Sequence, residues 1–198
     1  MSTEVRSATE APASTPRLRV LWSSDEVRAG IDALAGRIAE AFRDAPVVNL
    51  VPVLTGGLHT AAALSAALER AAPGKWLIAP IFASTYVGDG VLEAPAIDFP
   101  ERFDRAIDAS GPVVIVDDLL DTGTTMSVLV RMLTARGLGP VSVCVLIDKP
   151  ARRAVPLEPD FFAFRTLDDC WLVGFGMDSG RRFRGLDAIC ALEEPEAP

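Results

Sequence analysis

The fold and chemistry of this chain turn on the stretch Val113-Val114-Ile115-Val116-Asp117-Asp118-Leu119-Leu120-Asp121-Thr122-Gly123-Thr124-Thr125. Residues Val113 to Val116 are all β-branched, as a strand buried on both faces requires. That strand ends on two adjacent carboxylates and a third follows. A Thr-Gly-Thr-Thr turn then opens a helix expected from about Thr125 to Ala135, with Gly137 as its C-cap. Backbone N–H groups at a helix start, with threonine hydroxyls beside them, suit an anion such as phosphate. Gly123 allows the turn and lets the anion approach the backbone. Carboxylates beside a phosphate would repel it unless the ligand also brings sugar hydroxyls or Mg²⁺. A phosphorylated sugar satisfies both halves. The plain alternative is an acidic surface loop capping a helix with ordinary threonine N-caps. So many charges at the end of a buried strand need a stronger reason than that.

Outward from this stretch, strands and helices alternate. Ser23-Ser24-Asp25-Glu26 has the form of a capping box, and Val27, Ile31, Leu34, Ile38 and Phe42 mark one apolar helical stripe ending near Arg43. Val47 to Leu54 is an apolar run expected as a buried strand, broken by Gly56-Gly57 before an Ala-rich helix from Thr60 to Arg70. A second strand is expected from about Trp76 to Ser84. Val87 to Pro100 shows no clear period and reads as a long loop. Val141 to Ile147 forms a fourth strand. Phe161–Phe164 and Trp171–Phe175 are two short β-like runs joined by a polar turn at Asp168-Asp169. The pattern predicts one α/β domain over residues 17–198, with a mostly parallel sheet covered by helices on both faces. In such sheets ligands bind at the carboxyl ends of the strands.

Composition agrees and excludes other classes. The 198 residues are 49% hydrophobic and 23% charged, which rules out a disordered, collagen-like or coiled-coil chain. A net charge of −8 makes a poor non-specific partner for nucleic acid or anionic membrane. Cys144, Cys170 and Cys190 are odd in number and lack CxxC spacing, so they read as buried hydrophobes of a reduced, cytoplasmic protein. With His59 the sole histidine, a zinc site is not expected, and His59 reads as structural. No run approaches the ~18 apolar residues of a membrane span. Met1 to Pro16 reads as a disordered tail, since it lacks the basic and apolar regions of a signal peptide. Other phosphate motifs fail: Gly74-Lys75 is followed by Trp76 and so is no P-loop, and Gly174-Phe175-Gly176 meets Ser179 where a dinucleotide fingerprint needs glycine.

The segment VVIVDDLLDTGTT resembles the 5-phosphoribosyl-1-pyrophosphate (PRPP) signature of the type I phosphoribosyltransferases. Further segments are similar to the hypoxanthine-guanine branch of that family. VPVLTGG resembles its pyrophosphate loop, and Ser84-Thr85-Tyr86 the start of its flexible loop. Leu146 to Pro150 with Arg152-Arg153 resembles the bacterial LLDKP-x-RR segment, and Trp171 to Asp178 with Arg184 resembles the purine-binding hood. The resemblance implies the type I phosphoribosyltransferase fold, with a small hood formed by the N-terminal part and residues of about 150–190. It implies transfer of 5-phosphoribosyl from PRPP to a 6-oxopurine, hypoxanthine and/or guanine, with Mg²⁺, in a homodimer or homotetramer that uses neither nucleic acid nor membrane.

Residue by residue, the resemblance gives Asp117 and Asp118 the ribose hydroxyls, directly or through Mg²⁺, and gives Thr122, Gly123, Thr124 and Thr125 the 5-phosphate. Asp121 falls where the family has its general base, which takes the proton from purine N7. Thr55, Gly56 and Arg184 would hold pyrophosphate, and Thr85 and Tyr86 would belong to the flexible loop. Lys149 would donate to the 6-oxo group, Trp171 would stack on the base and the Leu172 backbone would read its edge. Asp178 would bind Mg²⁺ through water. Lys149 also stands out by type: of nineteen basic residues only Lys75 and Lys149 are lysines. A solvated turn lysine and a core tryptophan are the plain alternatives for Lys149 and Trp171. The chain departs from the family's usual pattern in having Thr55 for a Lys or Arg, Thr124 for a Lys and Asp117 for a Glu. Thr55 therefore leaves pyrophosphate a backbone site with no cation from that residue. Two other readings compete: transfer to another base such as xanthine or to an amine, and a PRPP-sensing regulator of the same fold. A regulator that binds nucleic acid needs a basic face, and here Arg152-Arg153 and Arg181-Arg182 are the only basic pairs.

Overall fold

The computed structural model describes residues 16–87 and 90–193; the tail expected over 1–16 lies outside them apart from Pro16. In chain order the elements are β1 (Arg17–Trp22), α1 (Ser24–Ala41), β2 (Val48–Leu54), α2 (Leu58–Ala71), β3 (Trp76–Ile78), β4 (Ile81–Val87), β5 (Gly90–Asp98), α3 (Phe103–Ala106), β6 (Val113–Leu120), α4 (Thr124–Ala135), β7 (Val141–Asp148), a 3-10 turn (Pro150–Arg152), β8 (Phe161–Arg165), β9 (Trp171–Val173) and β10 (Ile189–Glu193). The main sheet has the order β5-β4-β2-β6-β7-β8, with β3 beside β2. Every pairing in it is parallel except β4 with β5.

The continuous apolar runs are explained by helices on both faces. Val114 and Val116 of β6 pack into a core with Val27, Ile31, Leu34 and Ile38 of α1 and Leu64 and Leu68 of α2. Their neighbours Val113 and Ile115 face the opposite core with Met126, Leu129 and Leu133 of α4. Alternating side chains of one strand thus fill two cores. The capping box at α1 forms as expected: the Ser23 N–H donates to Glu26 Oε2 at 2.8 Å and the Glu26 N–H donates back to Ser23 Oγ at 3.4 Å. Cys144 and Cys190 are buried, and burial pushes the Cys144 thiol up to about 12.

Three expectations change. The strand expected from Trp76 to Ser84 is broken at Ala79-Pro80, because Pro80 has no N–H for a ladder. β3 therefore pairs with the start of β2, and β4 with its end. The loop expected over 87–100 is instead largely β5, an edge strand antiparallel to β4 with Phe82 opposite Asp98. Pro95 hid it in the sequence, and an edge strand tolerates proline. Finally, the two runs expected to be joined at Asp168-Asp169 enter different sheets. β8 extends the main sheet beside β7, where Phe164 meets Trp22 at 5.0 Å between ring centroids. β9 instead joins a small antiparallel sheet of order β1-β10-β9, in which Leu172 lies opposite Ala191. β1 and β10 carry no sequence signal strong enough to predict them. Each is held by the other, with Val20 opposite Cys190.

Candidate active site

β6 runs four residues past Val116 to Leu120, so Asp117 and Asp118 are themselves strand residues at its carboxyl end. Gly123 adopts φ +79° and α4 starts at the next residue. A Cβ at Gly123 would lie 3.0 Å from both Arg153 Cδ and Val155 Cγ2, so a larger residue is strained by the positive φ and crowds both side chains. Over this turn lies a cavity of about 380 Å³ lined by Asp117, Asp118, Thr122 and Thr125, by Gly56 from the loop after β2, and by Arg184. Thr55, which follows a cis peptide, also lines it. Gly176 packs so closely against the loop after β2 that a Cβ there would lie 2.1 Å from the Gly56 carbonyl oxygen.

Burial, and then the neighbouring Asp118 charge, raise the Asp117 carboxyl well above its ordinary range. Burial raises Asp118 too, against the Asp117 hydrogen bond and the Arg184 guanidinium, which pull it down. Two carboxylates that resist ionisation side by side suit hydroxyl donors or a cation, not a bare anion. Asp121 Oδ1 is buried with no hydrogen-bond partner among the described residues, while Oδ2 lies 3.7 Å from Arg152 Nη1. A buried acceptor without a donor is costly unless a ligand supplies one.

A second pocket of about 190 Å³ shares Asp118, Asp121 and Asp178 with the first and adds Lys149, Trp171 and Leu172. Lys149 is buried, donates to the Cys170 carbonyl at 2.8 Å and lies 3.5 Å from Asp169 Oδ1. An ammonium has three donors, so one remains for the pocket. This excludes the solvated-lysine alternative. Trp171 is 54% exposed, and its Nε1 donates to the Asp178 carbonyl at 2.8 Å, which holds the ring at the rim rather than in the core.

The cleft does not gather every expected residue. Thr124 is exposed and lines neither pocket. Thr85 and Tyr86 continue β4 beyond the lining residue Ser84. Asp178 is already engaged on both oxygens, by Arg184 Nη2 at 2.6 Å and by the Arg181 N–H at 2.7 Å. Among the described residues no three His, Cys, Asp or Glu side chains converge as a metal site. Because Arg184 holds Asp178, that carboxylate would reach a cation shared with Asp117 and Asp118 only through water. Any divalent cation here would draw most of its oxygens from substrate and water.

Sequence reasoning missed two features. Lys75, the other lysine, is structural: its Nζ donates to the carbonyls of Phe42 at 2.5 Å and Ala45 at 3.3 Å after α1. Asp148 is wholly buried at the end of β7, between Arg153 and Arg165. The only signal was an acidic residue closing an apolar strand just before Lys149. Arg152-Arg153 is consequently no basic face, since both are engaged with carboxylates.

The turn from a strand end into a helix start, the carboxylate pair and the two adjoining pockets agree with the family comparison. Residues 23–180 match the model of the phosphoribosyl transferase domain, and the chain belongs to that family of pentosyltransferases. Within it the chain is similar to hypoxanthine phosphoribosyltransferases. It is 30% identical to that of Escherichia coli over 172 residues, covering 87% of this chain and 93% of the relative. It is 27% identical to the hypoxanthine-guanine phosphoribosyltransferase of Aquifex aeolicus over 178 residues, covering 90% and 96%. A structure of the Trypanosoma cruzi hypoxanthine phosphoribosyltransferase in a ternary substrates complex superposes with a TM-score of 0.79 at 24% identity, over 91% of this chain and 97% of that one. That likeness bears out the type I phosphoribosyltransferase fold. Among the described residues no helix is long and apolar enough to cross a membrane.

Proposed function

We propose that this chain transfers the 5-phosphoribosyl group of PRPP to N9 of a 6-oxopurine, hypoxanthine or guanine, giving the nucleoside monophosphate and pyrophosphate. The observation that carries this reading is that two pockets, one sized and lined for a sugar phosphate and one for a flat base, meet at Asp121. Thr122, Gly123 and Thr125 with the α4 N–H groups take the 5-phosphate, while Asp117 and Asp118 accept from the ribose hydroxyls. Thr124 contributes its backbone rather than its side chain. Gly56, Thr55 and Arg184 take pyrophosphate. Lys149 donates to the 6-oxo group, Trp171 stacks on the base, and Leu172 backbone groups read its edge. Thr85 and Tyr86 belong to the hairpin that covers the sugar.

N9 bonds to C1 of the sugar as the C1–oxygen bond breaks and pyrophosphate leaves with the electron pair. The N7 proton passes to Asp121, whose Oδ1 has no other partner among the described residues. Asp117 and Asp118, with Asp178 through water, would hold Mg²⁺ brought in with the substrate, and the ion would there supply positive charge against the departing pyrophosphate. The reading keeps the protein in the cytoplasm as a homodimer or homotetramer.

The test is PRPP and Mg²⁺ with hypoxanthine, guanine, xanthine and adenine in turn, following pyrophosphate release, beside a melting curve with PRPP and Mg²⁺. Turnover with hypoxanthine or guanine is expected, as is a melting shift, since a ligand at a hundredfold excess over Kd stabilises by about 2.7 kcal/mol. No shift at millimolar PRPP and Mg²⁺ sinks the PRPP assignment. Preference for xanthine or adenine moves the reading to another base.

A further inference from the structure

We infer that Arg153 is a positioning residue that locks the phosphate turn and the base-reading segment into one register, although it lines neither pocket. The inference rests on the function proposed above. The Arg153 side chain is only 9% exposed. Its Nε donates to the Asp121 carbonyl at 2.8 Å and its Nη2 to the Leu120 carbonyl at 3.3 Å. The same Nη2 meets Asp148 Oδ1 at 2.5 Å, and Nη1 donates to the Leu157 carbonyl. One guanidinium therefore grips the backbone of the general base at one end and the carboxylate preceding Lys149 at the other. Two backbone bonds run alongside: the Lys149 N–H donates to Leu120 at 3.0 Å and the Ala154 N–H to Thr122 at 2.9 Å.

A buried ion cluster that served stability alone could sit anywhere in the fold. This one ends on the Asp121 peptide, whose side chain faces both pockets, and on the residue beside the purine-reading lysine. The planar fork with its five donors is also needed, because an ammonium cannot reach these acceptors together. The cluster holds its own control. Arg165 bonds the other oxygen of Asp148 at 2.7 Å and Glu158 at 3.1 Å, yet touches neither the turn nor Lys149. Displacing reacting groups by about 1 Å can cost on the order of 100-fold in rate.

The experiment compares Arg153→Lys with Arg165→Gln by melting temperature and by steady-state kinetics with PRPP, hypoxanthine and adenine. For Arg153→Lys, kcat/KM for hypoxanthine is expected to fall by about 100-fold, KM for PRPP to rise, and the ratio of hypoxanthine to adenine use to shrink. Arg165→Gln is expected to lower the melting temperature and leave the kinetics of the folded protein unchanged. If Arg153→Lys only lowers the melting temperature, with its kinetic constants and base ratio retained, the positioning role is overturned. Should Arg153→Lys not fold, Asp148→Asn answers the same question, because it keeps the volume and an acceptor but removes the charge that anchors the guanidinium. Loss of base discrimination there supports the role, and unchanged kinetics overturn it. A folded parent that is inactive with every nucleobase overturns the proposed function and this inference with it, whereas an active parent with an indifferent Arg153→Lys overturns the inference alone.

Discussion

Asp121 and Lys149 border the same pocket from walls that are built differently. The wall proposed to take phosphate is one unbroken stretch, β6 running through Gly123 into α4, and its groups are placed by a strand end and a helix start that adjoin in sequence. The wall proposed to read the base is collected from the end of β7, from β9 and from the segment after it. It holds together through Lys149 on the Cys170 carbonyl, Trp171 on the Asp178 carbonyl and Arg184 on Asp178. The lesson is that chemistry carried on a continuous turn can be altered with the fold intact. Chemistry assembled from distant segments changes together with stability, because the groups that read the ligand also hold the wall up.

That contrast is broken most directly at Asp121. Asp121→Asn keeps the shape of the turn but cannot take the N7 proton, so kcat should fall by about 10²–10⁴ with KM for PRPP and melting temperature nearly unchanged. Single-turnover kinetics make the comparison, and an unchanged chemical rate removes the base assignment. Lys149→Ala should cost about tenfold or more with hypoxanthine or guanine and leave PRPP affinity alone. It should also lower the melting temperature, because the Cys170 carbonyl loses its donor. Normal melting together with the kinetic loss would show that the base wall is as separable as the phosphate wall.

Gly56 probes the point where the walls touch. A Cβ there would lie 2.5 Å from Asp118 Oδ2, so Gly56→Ala should push that carboxylate off its rotamer. The expected cost is about 0.5–1.5 kcal/mol, a severalfold rise in the Kd for PRPP by titration calorimetry. An unchanged Kd would mean that Asp118 does not bind the sugar in the position it occupies here.

The smallest effect is on stability without ligand. Burial and the adjacent charge raise the Asp117 carboxyl. The folded chain therefore holds that proton more tightly than the unfolded chain, whose value is about 3.9. Its contribution favours folding at low pH and turns into a penalty as pH climbs through the raised value. Asp117→Asn should thus melt higher than the parent at neutral pH, by about 2–4 °C for each kcal/mol recovered, and the gain should shrink on acidification. A variant that melts lower at pH 7, measured without PRPP or Mg²⁺, contradicts the assignment of strain to this pair.

The strand–carboxylate–turn–helix order of Val113 to Thr125 is local, and so it was legible in the sequence. β-branched residues, a glycine with positive φ and threonines at a helix start each act within a few residues of one another. The capping box at Ser23 and the apolar stripe of α1 were readable for the same reason. Pairings between distant segments were not. β1 and β10 exist because each supplies the other's backbone partners across the whole length of the chain, and β5 hid behind a proline that only its edge position tolerates. The resemblance named Lys149 and Trp171, but only the tertiary structure decided how they are held. It also turned Lys75 into a cap, tied Asp178 to Arg184 and buried Arg153 between Asp121 and Asp148. Those outcomes depend on which charges packing brings into contact once water is excluded, and no spacing along the chain encodes that.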